Sequence, residues 1–193
     1  MASSQSPSSA TCTSASVSSA YLVSQLVLTL LASSEQKDWK TIGLMNSVLD
    51  NELPDLVVLN GDLLSCEYVA PSKYNELLDQ VVSPLVSRDL PFAPTFGNHD
   101  YSETCDTHDM SEHMWYNVKG TNGKRLSFMT HSVDGANEDV GESNYYVPVY
   151  GSKDGERLEM LLWFFDSRGG HVFQPGKRLD TPTGDTVHDE VRR

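Results

Sequence analysis

Positive charge is scarce in this 193-residue chain: 14 Lys and Arg stand against 27 Asp and Glu, a formal net charge of −13. Such a surface repels phosphate backbones and has no basic stripe from which counterions could be displaced, which argues against a nucleic-acid partner. A phosphorylated ligand would have to be held by something other than net charge, and bound cations are the natural means. Cysteine is equally sparse. Cys12, Cys66 and Cys105 contain no C-x-x-C pair, and an odd count does not read as a disulfide framework, so the expectation is reduced thiols. No N-x-S/T acceptor site occurs, so nothing supports a glycosylated surface. Long apolar runs are missing too. The most apolar stretch near the N-terminus, Tyr21 to Ala32, is too short for a stable membrane span; a signal-peptide core stays open as an alternative, with the absence of Lys or Arg upstream weighing against it and slightly favouring a cytoplasmic location over a secretory one. The stretch is expected to be a buried strand.

What remains is enough for one domain, since 38% of the residues are apolar and 9% aromatic. Residues 1–19, dominated by Ser, Thr and Ala, read as a disordered leader, residues 20–170 as the folded unit, and residues 171–193 as a disordered tail. Within the unit, Trp39, Ile42, Met45, Leu49 and Leu53 recur at helical spacing over Asp38 to Leu53, and Pro54 closes that helix. Leu56 to Asn60 (LVVLN) is a continuous β-forming run suited to a central parallel strand. A second helix follows, with Ser72 as its expected N-cap, a stripe of Tyr74, Leu77, Leu78, Val81, Val82 and Leu85, and a last turn bent at Pro84. Phe92 to Phe96 (FAPTF) is a third extended segment. Tyr101 to Glu142 reads as a long surface excursion with a short helix near Ser111 to Val118. Asn144 to Tyr150 and Met160 to Asp166 are two strands joined through the turn signal Asp154-Gly155, hence antiparallel neighbours.

The chemistry concentrates at two strand ends. Asn60-Gly61-Asp62 follows one strand, Gly97-Asn98-His99-Asp100 the next, and one helix lies between. A strand–helix–strand unit brings both loops to the carboxyl edge of one parallel sheet, where open α/β sheets bind ligands. Thirty-six residues between Asp62 and Asn98 thereby become proximity. If the site holds divalent cations, Asp62 can share its two oxygens between ions and Asn98 can add a hard, neutral ligand. His99 can pass a proton to or from a leaving group, with Asp100 orienting the imidazole. Either motif alone also reads as a polar turn; their order and spacing favour the functional reading. Cys66 and Cys105, close behind the motifs, are expected as two free thiols near the site rim. Arg168 could contact a phosphate or pair with a surface acid. His131, His171 and His188, and the cluster from His108 to His113, lack ligand spacing. Glu35 and Asp38 are candidate substitute carboxylates.

These motifs, with the flanking KTIGLMNSVLDNELPDLVVLNGDLL, YNELLDQVVSPLVSRDLPFAPTFGNHD, SNYYVPVY and LLWFFDSRGG, resemble the calcineurin-like metallophosphoesterases, in the subgroup of fungal intracellular phosphatases and purple-acid-phosphatase-like proteins. The resemblance runs from about Lys40 to Gly170. It implies an α/β fold, a partial four-layer α/β/β/α sandwich with mixed sheet, and hydrolysis of phosphomonoesters or phosphoproteins at two divalent metal ions (Mn, Fe or Zn). It also implies Asp62 as the bridging carboxylate, Asn98 as a ligand of the second metal, His99 as the leaving-group histidine and Asp100 as its partner. The chain departs from the pattern in two places: no Asp-x-His stands upstream of Asp62, and no Gly-His-x-His appears before Arg193. Two dications a few ångströms apart repel strongly unless several anionic ligands surround them. The expectation is therefore weak metal binding and little phosphatase activity, with a non-catalytic binding module as the alternative.

Overall fold

The computed structural model of the chain describes residues 15–16, 35–101, 105–130, 141–151 and 157–167. The elements in order are β1 (Ala15–Ser16), α1 (Glu35–Glu52), β2 (Val57–Asn60), a 3₁₀ turn (Cys66–Tyr68), α2 (Tyr74–Val86), β3 (Phe92–Thr95), α3 (Thr107–Tyr116), β4 (Tyr145–Tyr150) and β5 (Leu158–Phe164). The result is a mixed α/β arrangement. β2 and β3 pair in parallel with Asn60 opposite Thr95, so their carboxyl ends finish level. β4 and β5 pair antiparallel, as expected, and β1 joins β4 in parallel, Ala15 against Val149. The expected strand Tyr21 to Ala32, the turn Asp154-Gly155, the tail 171–193 and most of the leader lie outside the described residues.

The apolar pattern accounts for most of the packing. β3 is buried at every position and β2 at Val57 and Leu59, as a strand covered on both faces requires. The stripe of α2 is buried at Tyr74, Leu78, Val81, Val82 and Leu85. Pro84 sits inside α2 without ending it. Proline leaves the Gln80 carbonyl without its usual N–H, and the Ser83 hydroxyl donates to that oxygen at 2.8 Å instead. The α2 N-cap is Lys73 rather than Ser72, and no side-chain cap is made there. α1 is narrower than its periodicity suggests: Met45 and Leu49 are buried, whereas Trp39 and Leu53 are exposed. Leu53 lies past the helix end in the left-handed region (φ 47°), its N–H on the Leu49 carbonyl at 3.1 Å, and Pro54 follows.

The stretch expected as a surface excursion returns to the core. Residues 126–128 run beside β3, with Phe92 N–H donating to Leu126 O and Phe128 N–H to Phe92 O, both at 2.9 Å. Val118, Leu126 and Met129 are buried there, and α3 adds Met110 and Met114. A polar composition hid these few apolar anchors. On the other side, the Tyr145 hydroxyl donates to Pro94 O at 2.5 Å and its ring stacks on Phe164 at 4.6 Å, tying β4 and β5 to β3.

Candidate functional site

Gly61 and Asp62 turn the chain sharply at the end of β2, both with left-handed φ, 75° and 50°. A non-glycine residue held there stores strain that surrounding contacts must offset. The contacts are those of the β3 loop. A Cβ on Gly61 would stand 2.6 Å from the Gly97 nitrogen, and a Cβ on Gly97 would collide with the Asp62 carboxylate. The two glycines thus mark where the loops touch, and there the His99 N–H donates to Asp62 Oδ1 at 3.0 Å. Asp62 is half-buried, while Asn98 and His99 are exposed. The two motif loops share one rim.

Asp100 has a different task from the one expected. It is fully buried, Oδ1 accepting from Leu64 N–H at 2.9 Å and Oδ2 from Gly97 N–H at 2.8 Å. It therefore stitches the β2 loop to the β3 loop through their backbones. Burial pushes its carboxyl up to about 7, against the opposing pull of those N–H donors. The carboxylate on the His99 imidazole is Glu67, with Nδ1 and Oε1 2.6 Å apart. Glu67, more than any other group, holds the imidazole above its ordinary pKa; the charges of Asp62 and Asp100 add to this and burial opposes it. The physical reason for the exchange of partners is position: Asp100 points into the protein, whereas the 3₁₀ turn carries Glu67 to the rim. The Cys66 N–H donates to His99 O at 3.1 Å along the same seam.

Cys66 and Cys105 are joined by a disulfide, not free thiols. Proximity at the rim was legible in the sequence; the pairing was not, because an odd cysteine count is silent about which two meet. Arg168 and the histidines at 131, 171 and 188 lie outside the described residues. On α3, the His113 imidazole pairs with Asp79 at 2.7 Å and that of His108 with Glu142 at 3.3 Å, so the two serve different partners.

The sequence reading missed a second buried network directly behind the rim. Asp166 is fully buried, and its Oδ2 accepts from Tyr101 Oη at 2.7 Å, Glu142 N–H at 2.8 Å and Ser143 N–H at 3.1 Å. The Ser143 hydroxyl in turn meets Thr95 Oγ1 at 2.9 Å and accepts from Phe96 N–H at 3.2 Å, fixing the last residues of β3 before the motif. Burial and the neighbouring Asp166 raise the Tyr101 hydroxyl well above its ordinary pKa, so it stays a donor. The one sequence signal was an acid closing an apolar strand, FFD, followed in space by the backbone of a glycine-led loop.

The donor set is short for a two-ion centre. Among the described residues no group of three or more His, Cys, Asp and Glu side chains is arranged to hold a metal ion. Asp62 and Asn98 offer one carboxylate and one amide, and Asp62 Oδ1 already accepts a backbone N–H. These residues alone do not fit a pair of dications.

A family model described as calcineurin-like phosphoesterase matches residues 35–186. The chain is similar to Phosphatase DCR2 of Saccharomyces cerevisiae, 29% identical over 133 residues, covering 67% of this chain and 21% of that protein. It is also similar to "Probable inactive purple acid phosphatase 28" of Arabidopsis thaliana, 26% identical over 157 residues, 73% of this chain and 36% of that protein. An uncharacterized protein of Schizosaccharomyces pombe is 41% identical over 63 residues, 33% of this chain and 12% of that protein. The chain thus spans between 12% and 36% of the length of these relatives. No solved structure matches it.

Proposed function

The chain belongs to the calcineurin-like phosphoesterase family, whose members act on phosphoesters with divalent metals, and on that premise we propose that it carries one part of a phosphoester-hydrolysing site. The observation that carries this reading is the His99 N–H to Asp62 Oδ1 bond at 3.0 Å, which joins two family motifs 36 residues apart. In this reading Asp62 and Asn98 are the metal-facing donors, and His99 gives a proton to the departing ester oxygen. Glu67 favours that task by keeping the imidazole protonated closer to neutral pH. Arg168 is the proposed phosphate contact. The substrate class is a phosphomonoester or phosphoprotein, and the fold a partial α/β/β/α sandwich.

The shortage of donors supports a chain that, on its own residues, binds metal weakly and hydrolyses slowly. The test is hydrolysis of a chromogenic phosphate ester with Mn²⁺, or with Fe and Zn, by the chain and by Asp62→Ala, alongside metal analysis. The expected result is fewer than two tightly held ions and similar, near-background rates. Two tight ions per chain together with Asp62-dependent turnover would overturn the impairment. The same shortage favours a second reading, a domain that binds a phosphoester-bearing partner through a single cation without cleaving it; a phosphopeptide retained intact by the chain with Mn²⁺ present and lost on Asp62→Ala would select it.

A further inference from the structure

The disulfide sits where the rim is most dependent on position. Cys66 opens the 3₁₀ turn four residues after Asp62, its N–H donates to His99 O at 3.1 Å, and the next residue, Glu67, reaches the His99 imidazole at 2.6 Å. Cys105 immediately precedes Asp106, whose side chain caps α3 by accepting from the His108 and Asp109 N–H groups. The bridge therefore fastens the turn that carries Glu67 to the start of α3, across a sequence separation of 39. The Glu67 and His99 side chains are 39% and 47% exposed, and an ion pair that open contributes little towards holding its own partners in place. The carboxylate has to be delivered by its backbone, and the covalent link restrains that backbone together with the Cys66 N–H to His99 O bond.

We propose that the Cys66–Cys105 disulfide, acting through Glu67 as a positioning residue, holds the His99 imidazole on the rim, and that exchange with a dithiol reductant releases it. A thiolate of the reductant attacks one sulfur, the S–S bond breaks with its electron pair on the other sulfur, and that sulfur takes up a proton. The reductant's second thiolate then attacks the reductant sulfur of the mixed disulfide, that S–S bond breaks, and the remaining protein sulfur leaves and takes up a proton. Two electrons and two protons pass to the protein, leaving two thiols, and the reductant departs as its own disulfide. Cys66 and Cys105 are both buried, so exchange proceeds through local opening and is slower than at an exposed bridge. Neither turnover nor a bound metal is needed for this exchange, so the coupling stands or falls independently of the phosphoesterase reading.

Two measurements decide it. Thiol titration of the unfolded, non-reduced chain is expected to find one reactive thiol, Cys12, and three after dithiol treatment; three from the start would overturn the bridge. Nitrogen NMR of the imidazoles at one fixed pH then compares the oxidised chain, the reduced chain, Glu67→Ala and the Cys66→Ser/Cys105→Ser double variant. Reduction is expected to move the His99 ring resonances towards those of Glu67→Ala, while His113, held by Asp79, keeps its signal. The double variant is expected to match the reduced chain and to ignore the reductant. A His99 signal indifferent to reduction would mean that Glu67 needs no bridge, and a His113 signal that moves equally would mean general loosening; either result refutes the proposal. Should the double variant fail to fold, the His99 and His113 signals of the unsubstituted chain, followed through a dithiol titration, separate the same outcomes.

Discussion

Asp100 separates two pictures of this site most sharply. If it orients the His99 imidazole, its loss alters proton chemistry and leaves stability alone. If it stitches the loops, stability falls first. Asp100→Ala leaves the buried Leu64 N–H and the half-buried Gly97 N–H without acceptors. An orphaned buried N–H costs about 1–3 kcal/mol, with Gly97 towards the low end because water can reach it, so the total is about 2–4 kcal/mol. Against a domain stability of about 5–15 kcal/mol that is a large fraction. Urea unfolding followed by circular dichroism should give a lowered midpoint with little change in slope. A loss below about 0.5 kcal/mol, in the range of an ordinary surface substitution, would refute the stitching role.

The pH dependence gives the same residue a second test. Its carboxyl rises from 3.8 to about 7 on folding, so between those values the folded chain keeps a proton that the unfolded chain releases. Proton binding then favours the folded state. The contribution is fully present below about 3.8 and is lost as pH climbs to about 7, by at most about 1.4 kcal/mol per unit for one proton. Subtracting the profile of Asp100→Asn from that of the unsubstituted chain cancels the many surface carboxylates. The difference should decline from pH 5 to 7; a difference that rises would show the N–H donors outweighing burial.

Gly97→Ala forces a methyl group against Asp62 and should destabilise by about 1–3 kcal/mol, read by urea unfolding, with weakened protection of the His99 amide in hydrogen exchange. Ser143→Ala removes the acceptor for the Phe96 N–H and should cost about 1–3 kcal/mol by thermal unfolding, although the hydroxyl's side-chain partners are Thr95 and Asp166. Glu67→Gln should lower the His99 pKa towards its ordinary value in a proton NMR titration. Because the imidazole is raised in the folded chain, the stability it gains from Glu67 is present below pH 6.5 and disappears as pH passes its folded value; Glu67→Gln should flatten that dependence.

The parts of this molecule legible in the sequence are those governed by periodicity. LVVLN and FAPTF carry an unbroken apolar run, α2 a regular stripe, and the NYYVPVY and MLLWFFD pair an antiparallel match, and each stands within a residue or two of its expected place. The juxtaposition of Asp62 with the Gly97–His99 segment followed from topology alone. What the sequence concealed were contacts decided by where a turn aims a side chain. Asp100 and Glu67 are both acids near His99, and only the geometry of the 3₁₀ turn chooses between them. Asp166 and Ser143 are 23 residues apart, with no periodic signal between them. Polar side chains that bond to backbone amides leave no pattern, because their partners carry no residue identity.

That distinction separates the residues that hold the shape of the rim from those exposed on it. The acids that build the rim, Asp100 and Asp166, are fully buried and accept hydrogen bonds from backbone amides. On the accessible side Asp62 is half-buried and Asn98 and His99 are exposed, and the His99 N–H bond to Asp62 joins the loops that Asp100 fastens from behind. Truncating a side chain exposed on the rim is therefore expected to cost the fold less than removing a buried acid. The stability of Asp62→Ala, expected about 1 kcal/mol below that of the unsubstituted chain because an N–H that water can reach loses its acceptor and alanine suits φ 50° less well than aspartate, set beside the larger loss in Asp100→Ala, measures that separation directly.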